Sequence, residues 1–387
     1  MSFQHPMAWV AGLFVLAAPA QAALSPIETS LTLQALHADK KGGHRHISGF
    51  LEPSGHDHGV PQRINLDHTE IGLAANLTPT LRAAVSIPFV DDRFVFEEAW
   101  LQHTAGRGLT LKAGRFLSGV GYANEQHPHV WDFADNTLMY SVLFGENLVQ
   151  DGLQMKWVAP TDLFVELGVD HGTGKHFPGS QGEAKTALFA HTGGDLGASS
   201  SWRAGLSYVE ARPENRESPV DDEAEALATA RFSGKSKTWM ADFVWKWAPD
   251  GDARSRYLKF QSEIFTRNER GTMDCVGSDE CDGDTDTFRT QQRGWYAQVV
   301  WQFMPKFRVG VRHDRLESRT IEKGALPIEL DVARPEKWSL MGDYSPSERQ
   351  RFRVQLSQDH SMQGSPDNRQ VLLQYIHSFG THAAHGY

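Results

Sequence analysis

Five short proline-bearing turns recur along the chain, each between two stretches of alternating apolar and polar residues. They are Thr78-Pro79-Thr80, Ala159-Pro160-Thr161-Asp162, Ala248-Pro249-Asp250-Gly251, Met304-Pro305-Lys306 and Ser345-Pro346-Ser347. Proline fixes φ and removes a ladder donor, so it sits where strands end. Between one such turn and the next lies a much longer polar connection. Hairpins with tight turns at one end and large loops at the other are the sequence pattern of a transmembrane β-barrel.

The alternation is clean enough to assign faces. Leu163, Val165, Leu167 and Val169 share one face, and Glu166, Gly168 and Asp170 the other. Trp239, Ala241, Phe243, Trp245 and Trp247 repeat the pattern against Asp242 and Lys246. Trp295, Ala297, Val299, Trp301 and Phe303 repeat it against Gln298 and Gln302. Strands of about ten residues with tryptophans near their ends fit an apolar band between aromatic girdles better than they fit a soluble sandwich.

Both ends of the chain agree. Ala8 to Ala18 is an apolar run too short to span a bilayer as a helix, and Ala20-Gln21-Ala22 offers a small-residue cleavage site. Residues 1–22 therefore read as a signal peptide and 23–387 as the barrel, although the first seven residues carry no Lys or Arg. At the other end Val371, Leu373, Tyr375, His377 and Phe379 share a face, as in the final strand read by the barrel-assembly machinery.

Strands are expected near 29–38, 62–76, 80–90, 93–103, 109–117, 147–158, 162–171, 184–196, 200–211, 235–248, 253–267, 292–304, 306–318, 335–345, 349–362 and 367–379, an all-β, antiparallel barrel of about sixteen strands. That number leaves an aqueous lumen. The mean hydropathy of −0.44 suits strands with one wet face, and no apolar stretch of helical-span length follows the leader. The net charge of −10 argues against nucleic acid as a partner. Cys275 and Cys281 lie in one polar loop, and an exported context favours a disulfide between them.

The segment from Ser118 to Glu146 is expected to fold inward and narrow the lumen. Around it the sequence resembles a known family. Glu97 to Gln102, Leu111 to Phe116, Asn124 to His129, Trp131-Asp132-Phe133, Asp151 to Gln154 and Trp157 to Phe164 are similar to Gram-negative outer-membrane proteins often labelled zinc-regulated TonB-dependent outer-membrane receptors. These are more distantly similar to phosphate-selective porins. The resemblance implies residence in the outer membrane and a connection with metal. Receptors of the TonB class close about twenty-two strands around a plug. Here strand-like sequence starts so soon after the cleavage site that no plug domain is expected, and the mechanism reads as porin-like.

Histidines in pairs supply candidate metal ligands: His44 and His46, then His56 and His58, in the first long loop, and His127 and His129 with Glu125 in the third. Neutral imidazole and carboxylate are good donors for Zn²⁺. A channel needs such a site to be weak, so no resident cofactor is expected and Zn²⁺ would bind transiently, with occupancy falling through the imidazole pKa of about 6.5. Alternation turns Glu70, Lys112, Glu166, Asp170, Arg203, Asp242, Lys246, Lys259, Glu263, Arg308, Arg312, Asp343 and Arg353 into the lumen. Their mixed signs do not make the basic ladder of a phosphate filter.

The expected function is passive uptake of small solutes, with divalent zinc as favoured cargo. An anion-type or general-diffusion porin and a metal-capturing surface receptor are the alternatives. No spacing of Ser, His and acid selects a catalytic triad, so an enzyme is not expected. The expected partners are outer-membrane lipid, the assembly machinery, and further copies of the chain in a homotrimer.

Overall fold

The computed structural model describes residues 26–39, 47, 50–51, 64–66, 68–90, 93–174, 177, 184–221, 227–328, 334–361 and 369–380. The leader expected over 1–22 and the candidate ligands His44, His46, His56 and His58 lie outside the described residues.

The strand segments are β1 (Glu28–Ala38), β2 (Thr69–Thr78), β3 (Leu81–Val90), β4 (Arg93–Phe94), β5 (Glu98–Gly106), β6 (Leu109–Leu117), β7 (Val149–Val158), β8 (Phe164–Thr173) and β9 (Lys185–Asp195). They continue as β10 (Ser200–Ala211), β11 (Arg216–Asp221), β12 (Leu227–Trp247), β13 (Tyr257–Val276), β14 (Asp282–Met304), β15 (Phe307–Glu322), β16 (Glu336–Ser347), β17 (Gln350–Asp359) and β18 (Arg369–Gly380). Both β4 and β5 pair with β3, and both β10 and β11 pair with β12, so each of these couples is one interrupted strand. The result is a sixteen-stranded antiparallel sheet, closed where β1 pairs with β18 on one side and β2 on the other. Closure leaves no unpaired edge, which is what lets strands cross a membrane.

Within the bilayer the expected strands and faces match. Leu153, Leu206, Ile264, Trp301, Leu340 and Leu356 are among the many large apolar side chains exposed on the outer wall. In water such a surface would be a grave liability; in lipid it is the anchoring face. Neighbouring rings adjoin along it, stacked from Phe307 to Tyr344 and Phe352 and tilted onward to Tyr375, His377 and Phe379. The proline turns lie at one end, where Lys306 adopts φ 73° to close its hairpin.

Two differences from expectation matter. First, β12, β13 and β14 run to 21, 20 and 23 residues, well past the lipid on the loop side. Their inward residues there, among them Phe232, Met273 and Phe288, form an apolar cluster with Cys275 and Cys281, which are joined by a disulfide. Second, residues Leu138–Phe144 form a short helix, α1, inside the barrel. Thr137 caps it by accepting from the Tyr140 N–H, and Gly145 at φ 83° ends it.

Glu217 and Asp279 are exposed on the long-loop side, Thr161 and Ser347 at the turns. Short turns face the periplasm in such barrels. Single cysteines at Glu217 or Asp279 are therefore expected to react with an impermeant maleimide on intact cells, and those at Thr161 or Ser347 only after lysis. Ser218 faces inward and is buried, so it does not report topology.

Candidate functional site

The segment between β6 and β7 enters the lumen, and its neck is tied by one side chain. Asn124 Nδ2 donates to the carbonyls of Ser118 (2.8 Å) and Leu148 (3.1 Å), and its Oδ1 accepts from the Leu148 N–H (2.6 Å). Gly121, at φ 65°, passes so close to the wall that a Cβ would clash with the Glu263 carboxylate. Beyond it, Glu263 accepts from the N–H groups of Tyr122 (3.2 Å) and Ala123 (3.0 Å) and from the hydroxyls of Tyr140 (2.9 Å) and Tyr296 (2.5 Å).

Two aspartates fasten the far side. Asp132 accepts from Lys259 Nζ (2.9 Å), Arg308 Nη1 (2.9 Å) and Gln298 Nε2 (3.2 Å). Asp135 accepts from Arg312 Nη2 (2.6 Å), Lys337 Nζ and Gln355 Nε2 (2.9 Å). Burial disfavours the Asp132 carboxylate, but Lys259 and Arg308 outweigh it and hold its pKa below the ordinary value. Arg353 donates to the Trp131 carbonyl (2.8 Å) and Asp314 accepts from the Leu138 N–H (3.0 Å). Leu138, Met139, Tyr140, Val142, Leu143 and Phe144 pack in one buried cluster with Ile47 and Phe50 of the first loop and with Phe177, Phe189 and Phe265.

The wall residues picked out by alternation meet this segment. Asp170 accepts from Ser118 Oγ (2.5 Å), Arg203 donates to the Gly121 carbonyl (3.4 Å), and Arg308 also binds Asp343 (3.0 Å). Asp170, Glu263, Arg312 and Arg353 are thus buried against the loop, and Asp343 beneath Arg308 and Arg353, rather than facing open water. Alternation identifies the inward face; it carries no information on what fills the lumen. On the turn side of the loop a cavity of about 920 Å³ remains, lined by Glu70, Lys112, Glu166, Arg203 and Lys246 among others, with Tyr122, Glu125 and His127 from the loop.

His127 gathers the acidic groups of that cavity. Its Nδ1 is 3.0 Å from Glu70 Oε2 and 2.9 Å from Glu97 Oε2, and its Nε2 is 3.2 Å from Glu98 Oε2. His129 Nδ1 stands 3.6 Å from Glu70. One ligand atom each from Glu70, Glu97 and His127 lie within 4.8 Å of one another. Burial opposes the imidazolium, yet Glu97 and Glu70 raise its pKa well above 6.5. Glu125, grouped with the histidines in the sequence, turns away to Lys156 Nζ at 2.7 Å. There burial is outweighed by Lys156 and Lys112, which lower its pKa.

Glu97 and Glu98 were missed as partners because consecutive strand residues point to opposite faces. Between β4 and β5 the strand carries an extra residue: the register moves from Phe89↔Phe94 to Ser86↔Glu98. This bulge brings Glu97 in beside Glu98. The signal available was two adjacent glutamates in a strand whose wall neighbour, Glu70, is also acidic.

A closed sixteen-stranded barrel with an apolar outer wall and a loop folded into its lumen is an outer-membrane β-barrel. No family model matches the chain. It belongs to the same family as an uncharacterized protein of Aquifex aeolicus (strain VF5), to which it is 31% identical over 356 residues, covering 86% of this chain and 72% of the relative. Among solved structures it shares its fold with OmpT of Vibrio cholerae lacking loop L8 (TM-score 0.55, 11% identity, 91% of this chain and 99% of that one). It also matches OprB of Pseudomonas putida (TM-score 0.54, 14% identity, 91% and 94%) and the outer-membrane channel DcaP of Acinetobacter baumannii (TM-score 0.54, 14% identity, 94% and 100%).

Proposed function

We propose that the chain is a porin-like channel with a narrow path past the inward loop, and that a divalent cation, zinc by preference, is its cargo. The observation that carries the cation is the carboxylate cluster of Glu70, Glu97 and Glu98 around a single imidazole, His127, at the cavity. Three clustered carboxylates, Glu70 buried and Glu97 and Glu98 half-buried, with His127 between them and His129 beside Glu70, form a site where a cation can take the place of the imidazolium charge. The donors suit Zn²⁺: His127 Nδ1 with Glu70 and Glu97 oxygens would take the ion, while Nε2–H donates to Glu98 and fixes the ring. Three donors rather than four, and the need to expel a proton from His127, keep binding weak enough for release. The channel itself is supported by the barrel size and by likeness to DcaP.

The pH dependence follows from the raised His127 pKa. Protons compete with the ion below that value, so zinc affinity is expected to rise as pH increases and to be still rising above about 6.5 rather than levelling off there. Zinc influx into proteoliposomes measures this. His127→Ala with His129→Ala, or Glu97→Gln with Glu98→Gln, is expected to abolish zinc block of the current and change zinc flux. Equal flux and equal block for wild type and variants between about pH 6 and pH 8 would remove zinc from the proposal and leave a general-diffusion or anion-type pore.

The apolar packing of α1 inside the lumen favours a second reading, a receptor that captures metal at the surface without passing it. Planar-bilayer recording separates the two: steps of current support the channel, and zinc binding with no current supports the receptor.

A further inference from the structure

Above the apolar belt the outer wall of β12 to β15 becomes basic. Outward positions there carry Lys237 on β12, Arg270 on β13, Arg289 on β14, and Arg315 and Arg319 on β15. The register places Arg270 directly opposite Arg289, and opposite Lys235 on its other side. Side chains directly opposite each other are about 4.5–5.5 Å apart at Cβ, and like charges there repel. Lys235 is neutralised by Glu210 (2.7 Å) and Arg293 by Glu317 (2.9 Å). Glu322 stands opposite Arg289 and Glu336 opposite Arg315, but neither forms an ion pair with them. Among the described residues Lys237, Arg270, Arg289, Arg315 and Arg319 make no ion pair at all.

We propose that this face binds the phosphorylated headgroup of an outer-leaflet glycolipid. Adjacent guanidinium groups match phosphate oxygens bidentately and would lose their mutual repulsion in doing so. The choice of a lipid over a free anion comes from what lies next to the row. Trp239, Ile264 and Leu340, all exposed, form the apolar wall immediately below it, so acyl chains tied to a phosphate at the arginines would lie along that wall. The site is on the outside of the barrel and holds whatever the lumen conducts.

Native mass spectrometry of the detergent-solubilised protein tests it with bisphosphorylated lipid A, dephosphorylated lipid A, phosphatidylglycerol and inorganic phosphate as probes. Bisphosphorylated lipid A is expected to be retained most strongly and to be lost on raising salt. The triple variant Arg270→Gln, Arg289→Gln, Arg319→Gln is expected to weaken retention at least about tenfold while leaving single-channel conductance unchanged. These residues are exposed, and heat-modified migration on a gel verifies that the variant is folded. Equal retention of phosphorylated and dephosphorylated lipid, equal retention by wild type and variant, or full competition by inorganic phosphate would each overturn the proposal.

Discussion

Replacing Ala134 to Leu143 with a short Gly-Ser linker is expected to raise single-channel conductance several-fold. The segment carries Asp135 and most of α1, whose side chains fill the lumen between the walls formed by Ala187, Val209, Met240, Phe265 and Leu316. Removing it lets water reach Arg312, Lys337 and Gln355, which lose Asp135 but regain solvent, so no buried charge is stranded. The strands keep their ladders, because every wall pairing is independent of the loop. A sixteen-stranded wall emptied in this way has room for an aqueous path. Unchanged conductance in a folded variant would mean that the loop lies outside the conduction route.

Glu263→Ala is expected to be the most disruptive point change in the lumen. It deprives two backbone N–H groups and two tyrosine hydroxyls of their acceptor at once, and each stranded donor costs about 1–3 kcal/mol. The loop is expected to loosen from Tyr122 onward, seen as excess open-channel noise and as faster cleavage near Trp131 in limited proteolysis. Glu263→Gln keeps an acceptor and should fall between. If alanine behaves as wild type in both assays, the loop is held by its apolar cluster and by its other ties to the wall, Asp132 and Asp135 foremost. The Asp132 anchor resists acid. The folded pKa of Asp132 lies below its ordinary value of about 3.8, so its contribution is full above that pH and is lost only as pH falls through the lower folded value. Mild acid is therefore not expected to free the loop through Asp132.

The transmembrane wall was legible from the chain because lipid outside and polar contents inside impose a strict two-residue period. Pro79, Pro160, Pro249, Pro305 and Pro346 then fixed where strands turn. The outward extensions of β12 to β14 escaped notice because the period inverts above the bilayer. There Phe232, Met273 and Phe288 point inward while Lys237, Arg270 and Arg289 point out, and so many charges read as loop. The helix α1 escaped for another reason. Seven residues, nearly all apolar, give no face to detect, and only the lumen around them makes such a segment stable. The His127 cluster was half legible: the imidazoles were visible, but Glu97 reaches them through a bulge that breaks the alternation used to find everything else.

The seam between β1 and β18 sets an order of assembly. It joins the first strand made to the last, and the Thr32–Ser378 contact on it spans 346 residues. Contacts so distant in sequence form late, because the loop they close must be ordered first. The inward segment carries Asp132 and Asp135, whose cationic partners Lys259, Arg308, Arg312 and Lys337 all stand on the wall and are most accessible before it closes. It is therefore expected to be loaded, with Asp132 and Asp135 near their cations, before the seam zips. Biogenesis of this barrel is the closing of a filled container, and a variant that empties the lumen should change how quickly the wall closes as well as what later passes through it.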